Sequence, residues 1–173
     1  MMTLTAVFWM LLVIFGVIGG FRGWAKEILV VFSLLLAIAI DVLLVTYVDA
    51  VKVMIAAQQG PTQFGVRSLL LLTMAYFGYQ TPGLPAAITG KLAKDKLQDW
   101  MLGAVLGVLN GYFLVGSIWY YMDRAGYPLP YVLPPTDPTV LNYMKYMPPV
   151  LLGIPNIYFA VIGAFVFVII VFI

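Results

Sequence analysis

The stretch ILVVFSLLLAIAI, Ile28–Ile40, contains a single polar side chain, Ser33, and WMLGAVLGVLNGYFLVGSIWYY, Trp100–Tyr121, is almost as apolar. A strand of a membrane barrel alternates polar and apolar residues over about ten positions, so uninterrupted runs of this kind are helical. The bias extends over the whole chain. Hydrophobic residues fill 64% of the 173 positions and charged residues 9%, whereas soluble domains carry about 25% charged residues. Nine basic and seven acidic side chains cannot coat a water-facing exterior, so the exterior faces lipid. In hydrocarbon every backbone N–H and C=O must be bonded within the protein. The expected fold is therefore an all-α integral membrane protein, one transmembrane domain over residues 1–173.

Five spans are expected, over 4–20, 28–48, 61–79, 100–121 and 157–173, or four if the third is re-entrant or interfacial. The first run has no basic segment before it, so it is expected to be a retained helix and not a cleaved signal. Arg22, Gly23, Lys26 and Glu27 then read as a tight polar turn. Val51–Gln59 reads as an interfacial segment, and Pro61 suits the first position of a helix, which places Arg67 inside the third span. A Pro/Gly break at Thr81–Pro85 ends that span. The piece carrying Lys91, Lys94, Asp95, Lys96 and Asp99 among Leu92, Leu97 and Trp100 is expected to lie along the headgroups.

Residues 122–155 hold eight of the eleven prolines, which rules out a continuous helix. An extended, polyproline-II-like or turn-rich extramembrane loop, 122–156, is expected. Tyr127, Tyr131, Tyr143 and Tyr146 suit the headgroup layer and fold it back over the bundle. Five Lys/Arg on the side of the first and third loops against four on the other favour those loops as cytoplasmic, with the proline-rich loop outside.

Cysteine and histidine are both absent. That removes disulfides and any His- or Cys-ligated metal, haem, chlorophyll or iron–sulfur cofactor, while lipid, quinone and carotenoid contacts need neither residue. The net charge of +2 is spread without a basic run, which argues against a nucleic-acid partner. Intramembrane proteolysis needs a nucleophile with its base or two facing acids. With one acid expected inside a span, the chain is not expected to be an enzyme.

Two glycine ladders recur at four-residue spacing: Gly16 with Gly20 and Gly19 with Gly23 near the end of the first span, and Gly103, Gly107 and Gly111 in the fourth. Glycines one turn apart open a helix face to close approach, either within the chain or against another membrane protein or lipid. Asp41 lies about 10 Å inside the second span and Arg67 about 9 Å inside the third, counted from one membrane face. They meet if the two helices are neighbours, as a structural ion pair or as part of a proton or ion path; otherwise Arg67 snorkels to the headgroups. Asn110, in mid-span, suits an interhelical hydrogen bond or a ligand contact.

With Gly19, Arg22, Gly23 and Glu27 between two spans, and Asp99, Leu102, Gly103, Gly107 and Gly111 opening a later one, the sequence resembles the colicin V production protein family. GGFRGWAKEI is similar to its glycine, arginine-glycine and glutamate pattern. DWMLGAVLGVLNG is similar to its acidic residue followed by LGxxxG, with Asn110 where the family commonly has arginine and Trp100 where a basic residue often follows the acid. The resemblance covers roughly residues 16–116. It implies a small multi-pass protein of the bacterial inner membrane, without a known reaction, tied to envelope processes and toxin secretion. The expected function is that of a non-catalytic accessory or scaffold protein acting by helix packing on another membrane protein or complex. The alternatives are a small structural subunit of a respiratory or photosynthetic complex, and a small transporter or channel using Asp41 and Arg67.

Overall fold

A computed structural model describes residues 3–80 and 96–172. Four helices come first: α1 (Leu4–Arg22), α2 (Trp24–Tyr47), α3 (Asp49–Ala57) and α4 (Gly60–Tyr79). Then α5 (Lys96–Gly111) passes through a π-helical turn, Tyr112–Gly116, into α6 (Ser117–Arg124) without a break. Two short helices, α7 (Pro138–Tyr143) and α8 (Pro148–Leu151), lead to α9 (Asn156–Phe172). No strand occurs among the described residues.

Helix starts follow local chemistry. Thr3 Oγ1 accepts the Ala6 N–H at 3.3 Å and Asp137 Oδ1 accepts the Thr139 N–H at 2.8 Å, each satisfying a donor left open by a first turn. Pro61 and Pro138 stand in first turns, where a missing N–H costs nothing. Gln63 closes the α3–α4 corner, its amide donating to the carbonyls of Ile55 (2.8 Å) and Gln58 (3.1 Å).

Among the described residues three helices are long and apolar enough to cross a membrane: α1, α2 and the continuous Lys96–Arg124 helix. The chain is a helical membrane protein. α4 has 20 residues, with Thr62, Gln63 and Arg67 in its first turns, and α9 is an apolar helix of 17 residues. The surface agrees with a lipid solvent. Val13, Val17 and Phe21 on α1, Leu69 and Tyr76 on α4, and Phe159, Ile162 and Ile170 on α9 all point outward. Apolar surface this continuous would drive a water-soluble protein to aggregate.

α2 is the central helix, packed on α4, α5 and α9, with Val30, Leu34 and Ile38 fully enclosed beside Leu71 and Ile157. α1 runs antiparallel to α5 along a seam of backbone on backbone. A Cβ at Gly19 would strike the Gly103 carbonyl oxygen, and one at Gly107 would strike the Phe15 carbonyl oxygen; at Gly16 and Gly111 it would meet Val108 and Phe15 at 2.8 Å. The glycine faces that the sequence offers to a partner or to lipid are turned on each other. Close approach of this kind maximises packing where no hydrophobic effect drives helices together.

Three segments differ from the sequence reading. Gly23 alone separates α1 from α2, so Glu27 lies inside α2 and is fully buried instead of standing in a polar turn. Lys96, Leu97, Asp99 and Trp100 belong to the start of α5 and not to a separate surface piece; the break at 81–85 and Lys91, Lys94 and Asp95 lie outside the described residues. Within 122–155 the chain forms α7, a 3-10 turn at Met144–Tyr146 and α8. That stretch returns to the bundle: Met147 packs with Phe8, Leu12, Trp119 and Met122, Pro148 covers Gly116, and the Tyr112 hydroxyl donates to the Tyr146 carbonyl.

The seam makes a sharp prediction. Gly19→Ala or Gly107→Ala should lower stability by about 1–3 kcal/mol through overpacking. Gly65→Ala, on an open stretch of α4 with nothing within 4 Å, should be neutral or gain up to about 1 kcal/mol of helix propensity. Denaturation in mixed detergent micelles followed by circular dichroism measures both.

Candidate functional site

The α1–α2 joint gathers most of the residues singled out in the sequence. Gly23 takes φ 81°, a conformation that costs a residue with a Cβ, and its N–H closes α1 onto the Gly19 carbonyl at 3.0 Å. α2 then opens without a cap of its own. Asp99 supplies one from α5, its Oδ1 accepting the Trp24 N–H at 3.1 Å. A carboxylate at a helix N-terminus also complements the helix dipole. A Cβ at Gly23 would sit 2.8 Å from Asp99 Oδ2, so the glycine is required twice, by its backbone angle and by its neighbour.

One turn further along α2, Glu27 enters a fully enclosed position. Asn110 of α5, equally enclosed, donates from Nδ2 to Glu27 Oε2 at 2.8 Å and to the Glu27 carbonyl at 3.1 Å. Arg22, at the end of α1, brings Nε to 3.3 Å from Glu27 Oε1 as an ion-pair contact without hydrogen-bond alignment. Its guanidinium lies 4.3 Å from the centre of the Tyr79 ring and donates to the Tyr79 carbonyl at 3.4 Å. Three helices thus meet on one carboxylate, and α4 joins them through the contact of Tyr79 with Arg22.

A second cluster of the same chemistry sits at the other end of α2. Asp41 Oδ1 accepts from Arg67 Nε at 2.9 Å, and Asp41 Oδ2 accepts from the Tyr121 hydroxyl at 3.2 Å. The Arg67 guanidinium stands 5.1 Å from the centre of the Tyr121 ring. In both clusters a carboxylate of α2 faces an arginine that lies over a tyrosine. Glu27 and Asp41 are fourteen residues apart, about 21 Å along the axis and close to one helix face. Between them α2 presents Val30, Leu34 and Ile38, all at 0% exposure, with Leu71 of α4 at 1%. The two polar clusters are separated by an enclosed apolar stretch of the α2 face.

The structure brings Arg22, Glu27 and Asn110 into one group and Asp41 and Arg67 into another; Asp99 and the glycines act as cap and seam. Three participants were not singled out beforehand: Tyr79, Tyr121 and the π-helical turn between Asn110 and Tyr121. Tyrosine near a span end reads as an interface anchor, so neither ring had a distinguishing signal. Among the described residues no three His, Cys, Asp or Glu side chains stand together as a metal-binding group. Comparison of the chain with known protein families, with curated proteins and with solved structures finds no match.

Both arginines are mostly covered, with 21% and 19% of their side chains exposed, so each pair is sensitive to losing one member. Arg67→Met alone should cost about 3–5 kcal/mol by stranding Asp41, whereas Asp41→Leu with Arg67→Met should recover most of that loss. A double-mutant cycle on the purified protein reads the difference.

Proposed function

We propose that the chain is a non-catalytic accessory or scaffold protein of the bacterial inner membrane, of the colicin V production type, crossing the bilayer five times with α4 and α9 as the further spans. One observation carries this reading: both buried carboxylates of α2 are held by partners within the chain, and the outward faces of α1, α4 and α9 are rich in exposed apolar side chains. A protein built in this way offers a partner shape and apolar area in place of a reactive group. Support for the family comes from the joint. The residues behind the resemblance, Gly19, Arg22, Gly23, Glu27, Asp99, Gly103, Gly107 and Gly111, converge there although the two motifs lie far apart in sequence.

A partner would meet the outward faces of α1, α4 or α9, because the glycine faces are filled by one another. The transporter reading, with Asp41 and Arg67 on a path, is opposed by the enclosed apolar side chains of Val30, Leu34, Ile38 and Leu71, which fill the α2 face between the two carboxylates.

Extraction in a mild detergent followed by native sizing tests the proposal. A stoichiometric complex with another membrane protein is the expected result, and its composition separates an envelope factor from a subunit of a respiratory or photosynthetic assembly. A lone monomer or self-oligomer that moves ions in vesicles would overturn it in favour of the transporter.

A further inference from the structure

Among the described residues three enclosed polar atoms at the α1–α2 joint have no hydrogen-bond partner: Glu27 Oε1, Asn110 Oδ1 and the Tyr79 hydroxyl. They belong to one contact chain, since Asn110 is bonded to Glu27, Glu27 is paired with Arg22, and Arg22 lies on Tyr79. The Asn110 amide is fixed in orientation, because its Nδ2 donates to both Glu27 Oε2 and the Glu27 carbonyl. Its oxygen is therefore left as an acceptor. Two acceptors and a hydroxyl that both donates and accepts match the valence of a single water molecule, which in protein interiors makes about three hydrogen bonds.

We infer that the joint is an internal hydration site, holding a water molecule on Glu27 Oε1, Asn110 Oδ1 and the Tyr79 hydroxyl. The same oxygens would suit a small monovalent cation, but the local charge opposes one. Arg22 stands 3.3 Å from Oε1, and the N-terminus of α2, with its positive dipole end, is one turn away. Water enters from the Arg22 side. Arg22 and Tyr79 are the partly exposed members of the group, and the inward side is closed by Val30, Leu34 and Leu71. The site is a wet pocket with one mouth, set beneath the resemblance motif, and not part of a path across α2.

Radiolytic hydroxyl-radical labelling of the full chain in nanodiscs tests this, because radicals made from a bound water modify the side chains that touch it. Tyr79 should be labelled within about tenfold of the rate at Tyr131, despite its enclosed hydroxyl, and Tyr131 is fully exposed. Asn110→Leu should lower the Tyr79 rate about tenfold, while Glu27→Gln, which keeps an oxygen at the site, should leave it within about twofold. Should Asn110→Leu fail to fold, the wild-type rate alone decides. An unlabelled Tyr79 in the wild type would overturn the assignment. So would label that disappears when choline salts are exchanged for sodium, since that would put a cation in the site.

Discussion

A carboxylate on a helix inside a bilayer has to find its positive charge and most of its donors within the chain, since bulk water does not reach it. α2 carries two such groups, and the neighbours of α2 are arranged around them. Arg22 reaches Glu27 because α1 stops one residue before α2 begins; Arg67 reaches Asp41 because α4 runs antiparallel to α2 at the right depth. Asn110 and Tyr121 add a donor to each carboxylate from the continuous Lys96–Arg124 helix. Removing either acid would leave an arginine stranded, so the pairs specify which helices meet as well as holding them.

The glycine seam makes the first of these clusters possible. Because α1 and α5 approach backbone to backbone, the Asp99 side chain reaches the N-terminus of α2 and the Asn110 side chain reaches Glu27. A wider spacing would leave the first N–H groups of α2 without the Asp99 cap and Glu27 Oε2 without its Asn110 donor. The π-helical turn at Tyr112–Gly116 follows directly. Such turns widen a helix by one residue, and this one lies on the stretch between Asn110 and Tyr121, the residues that serve opposite ends of α2.

Much of this was legible from the chain itself, and the illegible parts share a cause. Apolar runs such as Ile28–Ile40 mark helix in lipid without reference to anything distant. The start of α4 followed from Pro61, and counting rise put Asp41 and Arg67 at matching depth, while that the two helices are neighbours came only from the structure. Glu27 was hidden because α2 begins at Trp24 only with the help of Asp99, seventy-five residues away. No local pattern announces a cap supplied from another helix. The helical turns of α7 had a local signal in Asp137 followed by Pro138, a cap and a first-turn proline, but the density of prolines around it read as extended chain.

The outward apolar faces lie against acyl chains, while Glu27 and Asp41 with Arg22 and Arg67 are turned inward. The chain has no cysteine, so single cysteines introduced at Val17, Leu69, Val105 and Tyr131 can be tested one at a time with a membrane-impermeant maleimide in sealed and in opened vesicles. The account predicts labelling at Tyr131 alone, with Val17, Leu69 and Val105 unreactive in both preparations although all are exposed on the protein surface. Labelling of Val17 and Val105 at the rate of Tyr131 would place water where the account places lipid, and would contradict it.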